Sequence, residues 1–375
     1  MSTKSLNILI LSGSPQTQLV ETCLKRGHIP VVKDPTDFNI YLSDKTRGYD
    51  ALYYDETDRV KAKDFDAVIS RVGRNRDYAS KVIDHFRKNL GIFCVQSGDA
   101  INTCSDKVKT AQIMSQHKIR VPKQVYAINP KNIAFIIKKL GQLPIILKEV
   151  SGSKGKGIIL LESPMQTNMT LESYYGSDKR IILQEFIANG GTDERHIVCD
   201  GEVVCSMERI APKTDIRANV SLQGTGRKIE ADEETTKMVV DAVAAIPNLN
   251  FAGVDVMKLQ TTDEKGNKVV NRYLIETNSN PGSQIIDITG INYFEKMLDF
   301  VEREHKHHNK EQAISRTLNV ELSRYEESFL ELMLDAKDDF PRQVNILNQY
   351  GFIKTINQQT IAFISGIKEL YKKYI

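Results

Sequence analysis

Two carboxylates and an amide, Asp255, Glu276 and Asn278, lie in FAGVDVMKLQTTDEKGNKVVNRYLIETNSNPG. The runs FAGVDVMKL and VVNRYLIETN are rich in β-branched and apolar residues and flank a polar TTDEKGNK, the pattern of two antiparallel strands joined by a loop. An unbulged ladder centred near Lys265 and Gly266 puts Asp255 opposite Glu276. Side chains two apart on a strand share a face, so Asn278 joins Glu276. Three oxygen donors on one surface, with few groups nearby to neutralise them, suit Mg²⁺, which takes octahedral oxygen coordination and shares its sites with substrate phosphates. A solvated acidic face on a hairpin has the same spacing. The turn Ser279-Asn280-Pro281-Gly282 ends the strand just past these residues.

Basic groups that could meet such phosphates lie upstream. Lys148 interrupts the otherwise apolar strand PIILKEV, and Ser151-Gly152-Ser153-Lys154-Gly155-Lys156-Gly157 follows directly. Small residues let backbone N–H groups approach phosphate oxygens while lysines supply charge, although a mobile linker has a similar composition. It is not a Walker loop, because isoleucines follow Gly157 where Lys-Ser/Thr and a helix are required. Arg195, Arg209 and Arg217 recur in the same strand-rich region as the carboxylates; guanidinium forks match phosphate oxygens, and surface ion pairs give the same pattern.

The elements that must position these groups read as follows. At 375 residues and 41% hydrophobic content, the chain suggests two or three domains with ample core. Net charge is +3 and the signs are interleaved, so nucleic acid is not indicated as a partner. Five cysteines without a CxxC pair argue for a reducing compartment, and the lack of a signal peptide or membrane span makes the cytoplasm the default. Up to about Gly98, strands at 6–11, 30–33, 65–70 and 92–95 alternate with helices at 18–26 and 78–89, which implies a small parallel sheet. No GxGxxG follows its first strand, which disfavours a dinucleotide site there. One helix carrying Lys107 is expected over 102–116 and another over 132–140, then strands at 144–150, 158–162 and 181–187. A turn at Asp200-Gly201 places Cys205 opposite His196. A helix is expected over 232–246.

In order, Lys107, Lys148 with its Gly-rich loop, QEFI, DER, RAN, GVD and ETNSNPG closely resemble the ATP-grasp ligases, and among them the RimK type, which adds glutamate to the C-terminus of a ribosomal protein. The resemblance covers roughly residues 5 to 305, starting with FDAVISRVG in the N-terminal domain. It implies an ATP-grasp fold of α+β and α/β class, with an N-terminal small parallel-sheet domain (1–98), a subdomain with a phosphate lid (99–184), a subdomain with the metal site (185–308) and a helical C-terminal extension (309–375). By match to the family, Lys107 and Lys148 contact nucleotide phosphates, with Ser151, Gly152, Ser153, Gly155 and Gly157 in the lid. Glu185, Phe186 and Ile187 lie along adenine and ribose, and Asp193 takes a ribose hydroxyl. Arg217 and Asn219 reach the phosphates and the acyl-phosphate, and with Lys148 form the catalytic set. Asp255, Glu276 and Asn278 hold Mg²⁺, or Mn²⁺ in its place.

The implied reaction is ATP-dependent joining of a carboxylate to an amine, with ATP, an amino acid (glutamate) and a protein or peptide acceptor as partners, in a homo-oligomer. A small-metabolite or peptide-crosslinking ligase shares every nucleotide residue, and a partner-recruiting nucleotide-binding module is the reading of another class. Two features depart from the family: the loop between Asp255 and Glu276 is longer and more polar, and residues 309–375 extend past its usual end. There Leu318, Leu322, Tyr325, Phe329 and Leu332, and Ile361, Ile364, Ile367, Leu370 and Tyr374, recur at helical spacing, with a shorter helical piece ended by Gly351 between them. Packing on the catalytic body, oligomer contacts and docking of a macromolecular substrate all fit that pattern. The run Glu304-His305-Lys306-His307-His308 reads as a solvated helix end in preference to a metal site.

Overall fold

In the computed structural model the first apolar run forms β1 (Asn7–Leu11), followed by α1 (Thr17–Lys25), β2 (Ile29–Lys33), β3 (Phe38–Tyr41), β4 (Ala51–Tyr54), β5 (Asp58–Val60), β6 (Ala67–Ser70), α2 (Arg76–Asp84) and β7 (Phe93–Cys94). The structure describes residues 4–41, 51–54, 58–60, 64–127, 133–150, 157–174, 180–212 and 225–322. Two compact units divide the chain, Met1–His305 and Lys306–Ile375. The first strand sheet has the order β2-β1-β6-β7 and is parallel throughout, as the alternating rhythm implied. Period-two alternation sends Ile8 and Ile10 to one face, with Leu19 and Cys23 of α1, and Leu9 and Leu11 to the other, with Val82 and Ile83 of α2. Strands β3, β4 and β5 form a small antiparallel sheet where the sequence reads only as polar.

The expected helix over 102–116 is two helices, α3 (Gly98–Ser105) and α4 (Lys107–Gln116). Asp106 breaks them: its backbone is extended, and its carboxylate accepts from the Val108 and Lys109 N–H groups, capping α4. This break places Lys107 at the first helical position. At the start of α3 a Cβ on Gly98 would lie 2.2 Å from the Ser80 carbonyl oxygen, so only glycine lets α3 sit this close to α2.

A second sheet, with order β10-β9-β11-β8, is antiparallel and assembled from β8 (Gln124–Ala127), α5 (Ile133–Leu140), β9 (Ile145–Glu149), β10 (Ile158–Leu161), α6 (Pro164–Tyr174) and β11 (Ile181–Glu185). Ile145, Leu147, Ile181 and Leu183 pack under α5 and α6, which turns the alternate residues Lys148, Ile182 and Gln184 to the opposite face. The third sheet, order β14-β13-β12-β15-β16, comprises β12 (Thr192–Cys199), β13 (Glu202–Ile210), β14 (Thr225–Ile229), α7 (Glu233–Ala244), β15 (Phe251–Thr262) and β16 (Lys268–Asn278). α8 (Gln284–Thr289) and α9 (Tyr293–Leu322) follow.

One face of this third sheet buries Val198, Ala252, Val254 and Val256 with α7. The other buries Ile197, Cys199, Met207 and Phe251 against the parallel sheet and Tyr293, Phe294 and Met297 of α9. Complete burial of aromatics such as Phe251 and Phe294, each 1% exposed, contributes roughly 1.5–3 kcal/mol apiece. A bulge between Ile197 and Val198 shifts the β12–β13 ladder by one, so Cys205 faces Ile197 and not His196. His196 faces Ser206 instead and bonds its hydroxyl at 2.8 Å. All five cysteines are buried and free. No described helix is long and apolar enough to cross a membrane. The apolar periodicities expected beyond Leu322 lie outside the described residues.

Candidate active site

The β15–β16 ladder pairs Asp255 with Glu276 and Gly253 with Asn278, the register read from the sequence. The ladder is not unbulged as expected: between Val256 and Thr262 it runs one residue off that register, and the bulge that leaves Ile275 as the extra residue brings Asp255 opposite Glu276. Past Asn278 the turn folds back over β15. A Cβ on Gly253 would lie 2.7 Å from Pro281 Cβ, so the glycine is what admits the turn beside the oxygen donors.

Beside Glu276 opens a cleft lined by α4, β16 and the second sheet, with Lys107, Lys148, Gln184 and Glu276 in its wall. Lys107 extends from the start of α4 to within 3.4 Å of the Val150 carbonyl. Lys148 donates to Gln184 Oε1 at 2.9 Å. Burial pulls both ammonium pKa values down, Lys148 to about 8, with each lysine facing the Glu276 charge that opposes the shift. At neutral pH Lys148 is still mostly protonated. Among the described residues the Glu276 carboxylate has no hydrogen-bond or ion-pair partner, and Asn278 Oδ1 accepts from the Asn280 N–H. An unpaired carboxylate beside an available amide oxygen fits a hard cation carrying phosphates.

Asp255 is different. Arg195 grips it with two 2.7 Å hydrogen bonds, and Arg209 Nη2 lies 2.8 Å from Oδ2. Burial alone would raise its pKa, but the two guanidinium groups hold it at about 2. The expectation that few groups neutralise this cluster is therefore corrected for Asp255, whose charge is shared with two arginines. It would bind a cation only through lone pairs they leave unused. The cause is non-local: β12 runs beside β15 and pairs Arg195 with Asp255 directly.

Asp193 gives both oxygens to Arg209, at 2.5 and 2.6 Å, and is not part of the cleft wall. Glu185 Oε1 accepts from the Lys123 N–H at 2.7 Å, and Phe186 and Ile187 continue from the end of β11. Gly157 adopts φ +76 beside Glu149 at the start of β10. Ser151, Gly152, Ser153, Gly155, Arg217 and Asn219 lie outside the described residues. Gln184 is an addition to the expected set. Strand parity could have shown it, since Ile182 pairs with Lys148 and Gln184 is two residues on. Among the described residues no group of three His, Cys, Asp or Glu gathers to hold a metal.

A lysine-walled cleft between two antiparallel sheets, with an acidic hairpin on one side, defines a nucleotide-gripping ligase architecture. Residues 104–301 match the RimK-like ATP-grasp domain and residues 6–101 the RimK PreATP-grasp domain. The chain belongs to the RimK-like ATP-grasp family. It is 31% identical to a "Probable alpha-L-glutamate ligase" of Teredinibacter turnerae, across 81% of this chain and 97% of that one. It is 30% identical to a protein of the same name from Rhodopirellula baltica, across 79% of this chain and 73% of that one. Among solved structures it is similar to the ATP-grasp ligase PsnB complexed with minimal precursor, Mg and ADP, with TM-score 0.58, 17% identity and coverage of 80% and 98%. A RimK domain ATP-grasp protein from Sphaerobacter thermophilus gives TM-score 0.56 at 17% identity, covering 78% and 98%.

Proposed function

We propose that this protein is an ATP-dependent carboxylate–amine ligase that joins glutamate to the C-terminal carboxylate of a protein or peptide, releasing ADP and phosphate. The observation that carries the reading is the convergence of Lys107 and Lys148 in one cleft on Glu276, which has no partner among the described residues. The names of the curated relatives favour glutamate as the amine, and the PsnB complex with a precursor peptide favours a peptide acceptor.

A carboxylate resists amines because its carbon is weakly electrophilic and its oxygen a poor leaving group. Transfer of the ATP γ-phosphoryl group to one carboxylate oxygen makes an acyl-phosphate, and attack by the amine then expels phosphate. In this scheme Lys107 and Lys148 offset charge on the phosphate oxygens, and Gln184 aims the Lys148 ammonium. Arg217 and Asn219 are assigned to the phosphates and the tetrahedral oxyanion by family match, and Ser151, Gly152, Ser153 and Gly155 to a lid that excludes water. Glu276 and Asn278, with the remaining lone pairs of Asp255, would hold Mg²⁺ or Mn²⁺. Such an ion, when bound, supplies positive charge to the β- and γ-phosphate oxygens. The enzyme is assigned to the cytoplasm as a homo-oligomer, where ATP and glutamate are abundant.

ADP release measured with glutamate and a panel of C-terminal peptides tests the assignment. Release that requires both, with peptide mass rising by whole glutamate residues, is the expected result. Release with glutamate and a small metabolite but no peptide would replace the acceptor, and no amino-acid-dependent release would remove the ligase reading.

A further inference from the structure

Arg71 follows β6 at the C-terminal edge of the parallel sheet and is only 6% exposed. Its Nε donates to Gln16 Oε1 at 3.1 Å, its Nη2 donates to the Pro281 carbonyl at 2.8 Å, and the guanidinium stands 5.4 Å from the Phe294 ring centre. Among the described residues the buried Nη1 has no hydrogen-bond partner and no carboxylate pairs with this charge, the Tyr293 hydroxyl being a further polar neighbour of the guanidinium. A buried guanidinium with no carboxylate partner among the described residues is costly, which favours an anion as its ligand. Asn280 Oδ1, one residue from Pro281, is also buried without a hydrogen-bond partner among the described residues. An orphaned donor and an orphaned acceptor, both anchored on the 279–282 turn, match a ligand that carries a carboxylate and an ammonium.

The topology points to the same place. β1 leads through α1 to β2 on one side, and β6 leads through α2 to β7 on the other, with the two helices on opposite faces. The crevice between the C-terminal ends of β1 and β6 is therefore the switch point of the sheet, where open α/β sheets bind ligands. Residues 12–16 leave β1 there and Arg71 leaves β6. Gln16 donates to the Ser12 hydroxyl at 3.0 Å, and its amide oxygen takes the Nε side of the guanidinium, which leaves the Nη1 end to a ligand. Pro281 lies three residues past Asn278, a span of at most about 10 Å, so a ligand here reaches the oxygen-donor end of the hairpin.

We infer that Arg71, with Gln16 and Asn280, forms the subsite for the amino-acid substrate, Arg71 taking its α-carboxylate and Asn280 orienting its amine toward the cleft. The inference rests on the ligase reading above. It is tested by the KM for glutamate and for the peptide acceptor in Arg71→Met and Arg71→Lys, with ADP affinity measured alongside. The expected result is a rise of about 10- to 100-fold in the glutamate KM in both variants, with ADP affinity within about twofold of wild type. A rise in the peptide KM alone would assign the arginine to the acceptor carboxylate and overturn the inference, as would unchanged KM values for both. Should the variants not fold, thermal unfolding of the wild-type protein with ADP decides. Stabilisation by glutamate but not by its α-amide supports the subsite, and equal stabilisation by the two overturns it. A wild-type enzyme that forms ADP without any amino-acid dependence would overturn the ligase reading itself.

Discussion

Glu276→Gln is expected to reduce ADP formation about 100- to 1,000-fold while leaving thermal stability within about 2 °C of wild type. The two halves of that expectation have different causes. Glu276 has no hydrogen-bond or ion-pair partner among the described residues, so an isosteric amide breaks nothing that holds the fold. It does remove the one carboxylate that Lys107 and Lys148 both face. The charge of Glu276 opposes the fall in the Lys148 pKa, so the variant's Lys148 should deprotonate at still lower pH. Its remaining activity is then expected to fall earlier on the alkaline side than that of wild type. A variant with near-normal turnover, or one that loses several degrees of stability with its activity, would refute this assignment of Glu276.

Arg209→Met should behave in the opposite way, losing stability first. Arg209 is 3% exposed and lies between Asp193 and Asp255. Removing one partner of a buried ion cluster leaves carboxylates uncompensated, at a cost of about 3–5 kcal/mol. For a unit of this size that corresponds to a fall of about 5–8 °C in Tm. The pH dependence identifies the cause. In wild type, burial already raises the Asp193 pKa against the pull of Arg209, whereas the two guanidinium groups hold Asp255 below the usual carboxylate range. Without Arg209 the Asp193 carboxyl should have a folded-state pKa still further above its unfolded one, while Arg195 continues to hold Asp255 down. A folded state that binds a proton more tightly gains stability as pH falls through that raised value. The gap between wild type and variant should therefore be widest near pH 7 and narrow toward pH 5. Adding Asp193→Asn should recover part of the loss. A gap independent of pH, or a Tm change below about 2 °C, would show that the cluster is not a compensated charge network.

What the sequence disclosed and what it withheld follow from the range of the interactions. The Asp255–Glu276 pairing depends on side-chain alternation within one hairpin, so it was legible, and the bulge at Ile275 happens to correct the ladder toward the register that a simple loop count gives. The same counting failed at Cys205, where a bulge moves its partner from His196 to Ile197. The arginine clasp on Asp255 was out of reach because β12 and β15 are joined by no short turn, and no local pattern reports that they are neighbours. Asp106 reads as one more polar residue in a helical stretch, yet its cap divides α3 from α4 and puts Lys107 in the cleft. The parallel sheet was visible as a rhythm of elements, but its switch point between β1 and β6 needs the strand order.

Transfer of isotope from acceptor to phosphate tests the central claim most directly. If both oxygens of a C-terminal peptide carboxylate are ¹⁸O and the peptide is turned over with ATP and glutamate, each phosphate released should carry one ¹⁸O atom, because the acyl-phosphate oxygen leaves with phosphorus. Phosphate free of label, formed alongside ADP, would mean that ATP is hydrolysed by water and that no carboxylate is activated in this cleft.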